Sequence, residues 1–358
     1  MGYCFLFEHV PSFESMVCER GDTAGVKKRR IMDHLARLFE IKLHINLSLL
    51  FKEVIQGMKR ILVTILSTAI LLLSIVSCCA AADNQIFIGF AQCDLSDTWQ
   101  SYFTDALRNT AENAGARIVV MDGRNDSSKQ IADVENLISQ GADVIITVLV
   151  DTTTTDPVIN ACKEANIPLI GAVRQFDGAD VFVGVDFTRM AIDQATKTAN
   201  LIGGKGNIGL LMGTMGNDDQ IKRTDGNKEA LKNFPDVKII VEDSGQWDRA
   251  NALSIVENWL QTGNQFDAIL SNNDEMAIGA IRALEAEGLS DKVVVAGVDG
   301  TPDALKLVSS GALDLTYFFN PFSLADKVID YSITLAKGGS IPEKVTLLDL
   351  EPITIENY

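Results

Sequence analysis

Histidine is nearly absent from this chain. Of 358 residues only His9, His34 and His44 are histidines, and all three precede residue 58. The remainder therefore lacks the side chain that most often moves protons near neutral pH or ligates zinc, which excludes most His-based catalysis and zinc chemistry there. Cysteine is scarce where it would matter. Cys4, Cys18, Cys78 and Cys79 lie in or before an apolar leader, leaving Cys93 and Cys162. Two unrelated cysteines make no disulfide framework, and no CxxC or Cys/His cluster is present. Positive charge is also short: 31 Lys and Arg stand against 48 Asp and Glu, a net charge of −17. Without residues 1–82 the balance is 21 against 41, or −20. Phosphate binding needs clustered cations, so no nucleic-acid partner is expected.

Residues 58–82 read as a secretory signal. Lys59 and Arg60 form the positive n-region and Ile61–Val76 the apolar core. That core of 16 residues is shorter than the roughly 20 of a membrane span. Its end, Ile75-Val76-Ser77-Cys78, resembles a bacterial lipobox, with Cys78 the lipidated residue; the competing reading is cleavage after Ala82 at a small-residue site. Since a signal works at an N-terminus, Met58 is the expected start, and residues 1–57 are read as a mis-assigned upstream extension. The alternative is a genuine cytoplasmic segment, its Lys27-Lys28-Arg29-Arg30 cluster keeping the apolar core as an uncleaved anchor.

From residue 86 short apolar runs alternate with helical patterns. The runs are Ile86–Ala91, Arg117–Met121, Val144–Val148, Pro168–Val173, Val181–Val185, Ile208–Met212, Val237–Val241, Ala268–Leu270, Val293–Val298 and Leu313–Phe318. Repeated β-α-β order predicts an α/β fold of doubly wound parallel sheets, and ten strands fit two lobes of about five. Gly204-Lys205-Gly206-Asn207-Ile208-Gly209 matches GxGxxG but follows a helix and leads into a strand, the reverse of a dinucleotide fingerprint; a helix cap and turn is the reading. Asp122-Gly123-Arg124-Asn125-Asp126 has oxygen ligands but no closing bidentate Glu, so neither metal nor cofactor is expected.

Several runs end in residues that carry chemistry. Ala268–Leu270 stops in Ser271-Asn272-Asn273-Asp274, and Val293–Val298 in Asp299-Gly300. In such sheets ligands sit beyond the carboxyl ends of the strands, so Asn273 and Asp299 are expected to face one crevice, unless either merely caps the next helix. Gln92, Asp97 and Trp99 follow the first run, Arg174 the fourth, Arg223 a loop after the sixth, and Trp247 the seventh. Two Trp rings suit the C–H faces of a sugar, and Arg, Asn and Asp suit its hydroxyls. Trp259, at helical spacing within Ala252–Leu260, reads as core.

The phrase NDEMAIGAIRAL (273–284) followed by DGTPDAL (299–305) resembles the periplasmic binding proteins of the ribose-binding family, over most of residues 85–348. The resemblance implies the type I fold: two similar lobes, residues 84–186 with 320–348 and 187–319 with 349–358, joined by three strands crossing near Asp186, Phe319 and Leu348. It implies ligand contacts by Trp99, Arg174, Arg223, Trp247, Asn273 and Asp299, with Gln92, Asp97 and Phe319 as further candidates. Departures stand out. Val173 replaces the Asp of the family's Asp-Arg pair, Thr98 replaces a first-loop aromatic, and Phe319 stands where a Gln would contact sugar. The pocket is therefore expected to be less polar than a ribose site.

The leader and the resemblance together imply a monomeric solute-binding lipoprotein that delivers a sugar or polyol to an ABC permease. The alternative is a receptor presenting ligand, a non-sugar one included, to a chemoreceptor or sensor kinase. A transcriptional regulator of this fold would need a helix-turn-helix where the export signal stands. An enzyme would need a nucleophile–base pair or metal cluster at recognisable spacing, and none is found.

Overall fold

The computed structural model describes residues 24–80 and 85–358, which form two units. In the first, helix α1 runs without a break over Ala24–Ala80, straight through the expected start at Met58. The residues around Ala82 lie outside those described, as do Cys4, Cys18 and His9, and the side chain of Cys78 is likewise not described.

The second unit, Gln85–Tyr358, alternates strands and helices as the apolar runs predict. Strands β1 (Phe87–Gln92), β2 (Arg117–Asp122), β3 (Val144–Thr147), β4 (Leu169–Ala172) and β5 (Val181–Val185) alternate with α2 (Thr98–Asn113), α3 (Ser127–Ser139) and α4 (Asp156–Ala165). Then follow α5 (Phe187–Leu201), β6 (Lys205–Met212), α6 (Asp218–Leu231), β7 (Asp236–Ser244), α7 (Arg249–Gln261), β8 (Ala268–Ser271), α8 (Asp274–Ala286), β9 (Val294–Ala296) and α9 (Pro302–Ser310). The chain closes with β10 (Thr316–Phe318), α10 (Pro321–Ala336), β11 (Val345–Leu348) and β12 (Glu351–Ile353). The last two strands are absent from the ten read in the sequence.

One sheet has the order β2-β1-β3-β4-β5-β11, every pair parallel. The other runs β7-β6-β8-β9, also parallel. Parallel bridges from Ala296 to Leu315 and from Asp299 to Phe318 lay β10 beside the end of β9, and β12 pairs antiparallel with β10. Both sheets thus repeat one doubly wound order, with the crevice at the carboxyl ends of the strands. The chain passes between them after β5, after β10 and after β11. Strands buried on both faces, such as Val144–Thr147 and Val181–Val185, explain why the apolar runs are continuous rather than alternating.

The glycine-rich stretch after α5 caps the helix. Gly203 and Gly204 adopt φ of 73° and 76°, their amides bonding back to Asn200 and Ala199 carbonyls before β6 begins. Trp259 lies in the second sheet's core against Phe266, its ring filling space above Gly209.

Candidate functional site

The carboxyl ends of the two sheets meet around a small cavity of about 20 Å³, lined by residues that include Asp97, Trp99, Val173, Arg174, Asp219, Arg223, Trp247, Asn273, Asp299 and Phe319. A recess of about 90 Å³ shares Asp97, Gln100, Arg174 and Trp247 with it and adds Cys93, Asp94, Asp248, Arg249 and Glu275. The inner space fits only a water or two, so the two walls are drawn nearly shut.

Backbone strain marks the same place. Val173, Gln246, Trp247 and Asp299 have φ of 65°, 56°, 65° and 125°, a region that side chains with a Cβ rarely enter. Such strain persists only where the surroundings over-determine it. All four lie just past strand ends. Gly213 shows the tightness of the fit: a Cβ there would come within 2.1 Å of the Trp247 ring.

The second sheet supplies the charged wall. Arg223, on α6, is 3% exposed; its Nη1 lies 3.6 Å from Asp299 Oδ1 and donates to the Asn272 carbonyl. Its guanidinium sits over the Phe187 ring at 4.2 Å and the Trp247 ring at 5.5 Å. Asp299 is equally buried, and burial pushes its carboxyl well above the usual range despite Arg223, with neighbouring Asp274 pushing the same way. Asp274, wholly buried, accepts from Thr316 Oγ1 (2.7 Å) and the Thr301 amide (2.9 Å), yet burial pushes it up to about 7. Asn273 caps α8 by accepting from the Met276 amide and also donates to the Trp247 carbonyl (3.2 Å). The capping alternative thus holds for Asn273 alongside its place in the cavity. Asp299 caps nothing, because Thr301 caps α9. Trp247 is half-buried, its Nε1 donating to Asn217 Oδ1 (3.0 Å).

The first sheet supplies a different wall. Trp99 is 5% exposed and stacks on Phe319 (centroids 4.0 Å apart, 12° between planes) and on Phe103 (5.5 Å, 19°). Its Nε1 donates to the Phe319 carbonyl. The expected sandwich of Trp99 and Trp247 is therefore not what the closed cleft holds: Trp99 spends its ring on aromatic neighbours and offers the cavity little face. Phe319 takes the place expected of a polar contact. Arg174 reaches across, its Nε 3.1 Å from Asp219 Oδ1 and its Nη1 donating to the Leu149 carbonyl. Gln92 does not line the cavity; buried, it ties Thr104 and the Gln100 carbonyl to the Cys93 amide. Asp97 caps α2 through the Gln100 amide, and burial, partly offset by that bond and by Arg174, pushes it up to about 6.

Sequence reasoning missed Gln100, Asn217 and Asp219. Gln100 follows Asp97 by three residues on α2, and Asp219 precedes Arg223 by four on α6, so helical spacing from the named residues would have found both. Asn217 links the walls: its Nδ2 donates to the Val150 carbonyl (2.7 Å) while its Oδ1 holds Trp247. Cys93, the thiol in the recess, is pushed up to about 12 by burial, which keeps it from being a nucleophile at neutral pH.

A family model for the periplasmic binding protein domain matches residues 88–340. The chain belongs to the periplasmic binding proteins. It is 30% identical to the galactofuranose-binding protein of Escherichia coli, covering 73% of this chain and 85% of that one. A xylitol-binding protein of Mycolicibacterium smegmatis is also 30% identical, over 64% of this chain and 72% of its own length. Among solved structures, an ABC transporter solute-binding protein from Bacillus halodurans with bound myo-inositol is 36% identical. It aligns with a TM-score of 0.73 over 77% of this chain and 97% of that one. This periplasmic binding protein thus has the two-sheet type I fold, and its family is one of binding proteins rather than enzymes, located in the periplasm.

Proposed function

We propose that this chain is the solute-binding component of an ABC importer, capturing a sugar or polyol between the two walls and handing it to a membrane permease. The observation that carries the reading is the convergence of buried Arg223, Asp299 and Asn273 with Trp247 at strand ends opposite Trp99 and Arg174. Paired donors and acceptors suit hydroxyl edges, and an aromatic ring suits a C–H face. Relatives named for galactofuranose and xylitol, and a neighbour holding myo-inositol, support the ligand class and favour import over a ligand-presenting receptor.

In this reading residues 84–186 with 320–348 form one lobe and 187–319 with 349–358 the other. The cavity is smaller than any sugar, so entry parts the lobes about the three crossings and binding closes them. The protein acts as a monomer without metal or cofactor. Export uses residues 58–82, translation starts at Met58, and Cys78 carries the lipid anchor. Cys78→Ala should then abolish lipid labelling, and unchanged labelling removes the anchor.

The deciding experiment is a thermal-shift panel of pentoses, hexoses, linear polyols and cyclitols on the purified protein. At a hundred-fold excess over Kd the cognate ligand stabilises by about 2.7 kcal/mol. Silence across the panel would set the sugar or polyol reading aside.

A further inference from the structure

Building on the polyol reading of the cleft, we propose that its ligand carries a protonated amine, seated against Asp97 and Gln100: an amino sugar or aminocyclitol rather than a neutral polyol.

Donors and acceptors do not balance at this end of the pocket. Asp299 faces Arg223 at 3.6 Å, and Asp219 faces Arg174 at 3.1 Å. Asp97 lines both the cavity and the recess, yet no cation of the described residues lies within ion-pair distance of it. Its Oδ1 accepts from the Gln100 amide, which leaves Oδ2 for a ligand. Beside it Gln100, 4% exposed, holds a buried Oε1 with no donor. Two neighbouring acceptors thus lack hydrogens, and one of them is a carboxylate.

An ammonium donates three hydrogen bonds and accepts none, whereas a hydroxyl has one hydrogen to give. An ammonium also brings the charge that Asp97 lacks, and charge-assisted bonds are about twice as strong as neutral ones. Arg174 is the nearest opposing charge, and it is committed to Asp219 and the Leu149 carbonyl. Over the whole lining, among the described residues, Asp94, Asp97, Asp219, Asp248, Glu275 and Asp299 face only Arg174, Arg223 and Arg249, so the approach also favours a cation. At the other end Arg223 Nε is a buried donor without acceptor, which suits a hydroxyl or ring oxygen of the same ligand.

The test is isothermal titration of matched pairs at neutral pH: glucosamine against glucose, galactosamine against galactose, and an amino-deoxy inositol against myo-inositol. Each pair is run on the wild-type protein and on Asp97→Asn, which keeps a helix-capping oxygen and so the fold. At least one amine should bind about tenfold more tightly than its hydroxyl partner. In Asp97→Asn that preference should vanish, because the amine loses its counter-charge and its affinity falls by more than that of the hydroxyl partner. Hydroxyl partners binding as well as amines in every pair would overturn the amine while leaving the polyol reading intact. An amine preference that survives Asp97→Asn would overturn the assignment to Asp97. Failure of every member of every pair would overturn the amine, and the polyol reading would then stand or fall on the wider panel of pentoses, hexoses, linear polyols and cyclitols.

Discussion

The two walls of the cleft hang from sheets of the same strand order, yet they do different work. The second sheet ends in buried ionisable side chains: Arg223 and Asp299 face each other, with Asp274 behind them. The first ends in a stack of Trp99 on Phe319 and Phe103, with apolar Val173 beside Arg174 and open acceptors on Asp97 and Gln100. Equal topology fixes where side chains are presented, and the residue at each strand end decides what the presentation can do.

The largest effect should come from the charged wall. Asp299→Ala leaves Arg223 buried without its counter-charge, which costs about 3–5 kcal/mol of stability. It should also weaken ligand binding about ten- to a hundred-fold. Denaturant melts and titration calorimetry measure the two, and an unaltered Kd would break the assignment of this wall. Next come the two tryptophans of the second sheet. Trp259→Ala should cost about 3–5 kcal/mol of stability by emptying core beside Phe266, with affinity unchanged once folded. Trp247→Ala should instead cost affinity, on the order of tenfold, through a lost ring face. Equal effects of both changes on Kd would blur the line between core and cleft.

A smaller effect tests the buried carboxyl behind the ion pair. Asp274 is pushed up to about 7, so the folded state holds its proton more tightly than the unfolded chain, whose carboxyl titrates near 4. Its contribution is full below about pH 4 and is lost as pH rises through about 7. Asp274→Asn should therefore gain stability relative to wild type between those values, and a pH-independent difference would refute the shift. The smallest effect is Asn273→Ala, about 1 kcal/mol of stability from the lost cap, alongside weaker binding.

Much of this was legible in the residues. Apolar runs ending in Asn273 and Asp299 announced parallel strands and a crevice, because strands buried on both faces carry no alternation to confuse them. β11 and β12 escaped because Val345–Leu348 and Glu351–Ile353 are short and part-exposed, with Asp349 between them and Pro352 inside the second. The stack of Trp99 on Phe319 escaped because its partners are 220 residues apart and meet only after the chain has crossed between the sheets. Gln100 and Asp219 sit on helix faces rather than at strand ends, and only helical spacing from Asp97 and Arg223 points to them.

Hydrogen–deuterium exchange with and without the ligand found by the panel tests the central claim most directly. If both walls close on one ligand, amides at 93–100 and 173–175 should gain protection together with those at 213–217, 245–248, 272–274 and 299–301. Protection confined to one wall, or none at either, would contradict a shared cleft.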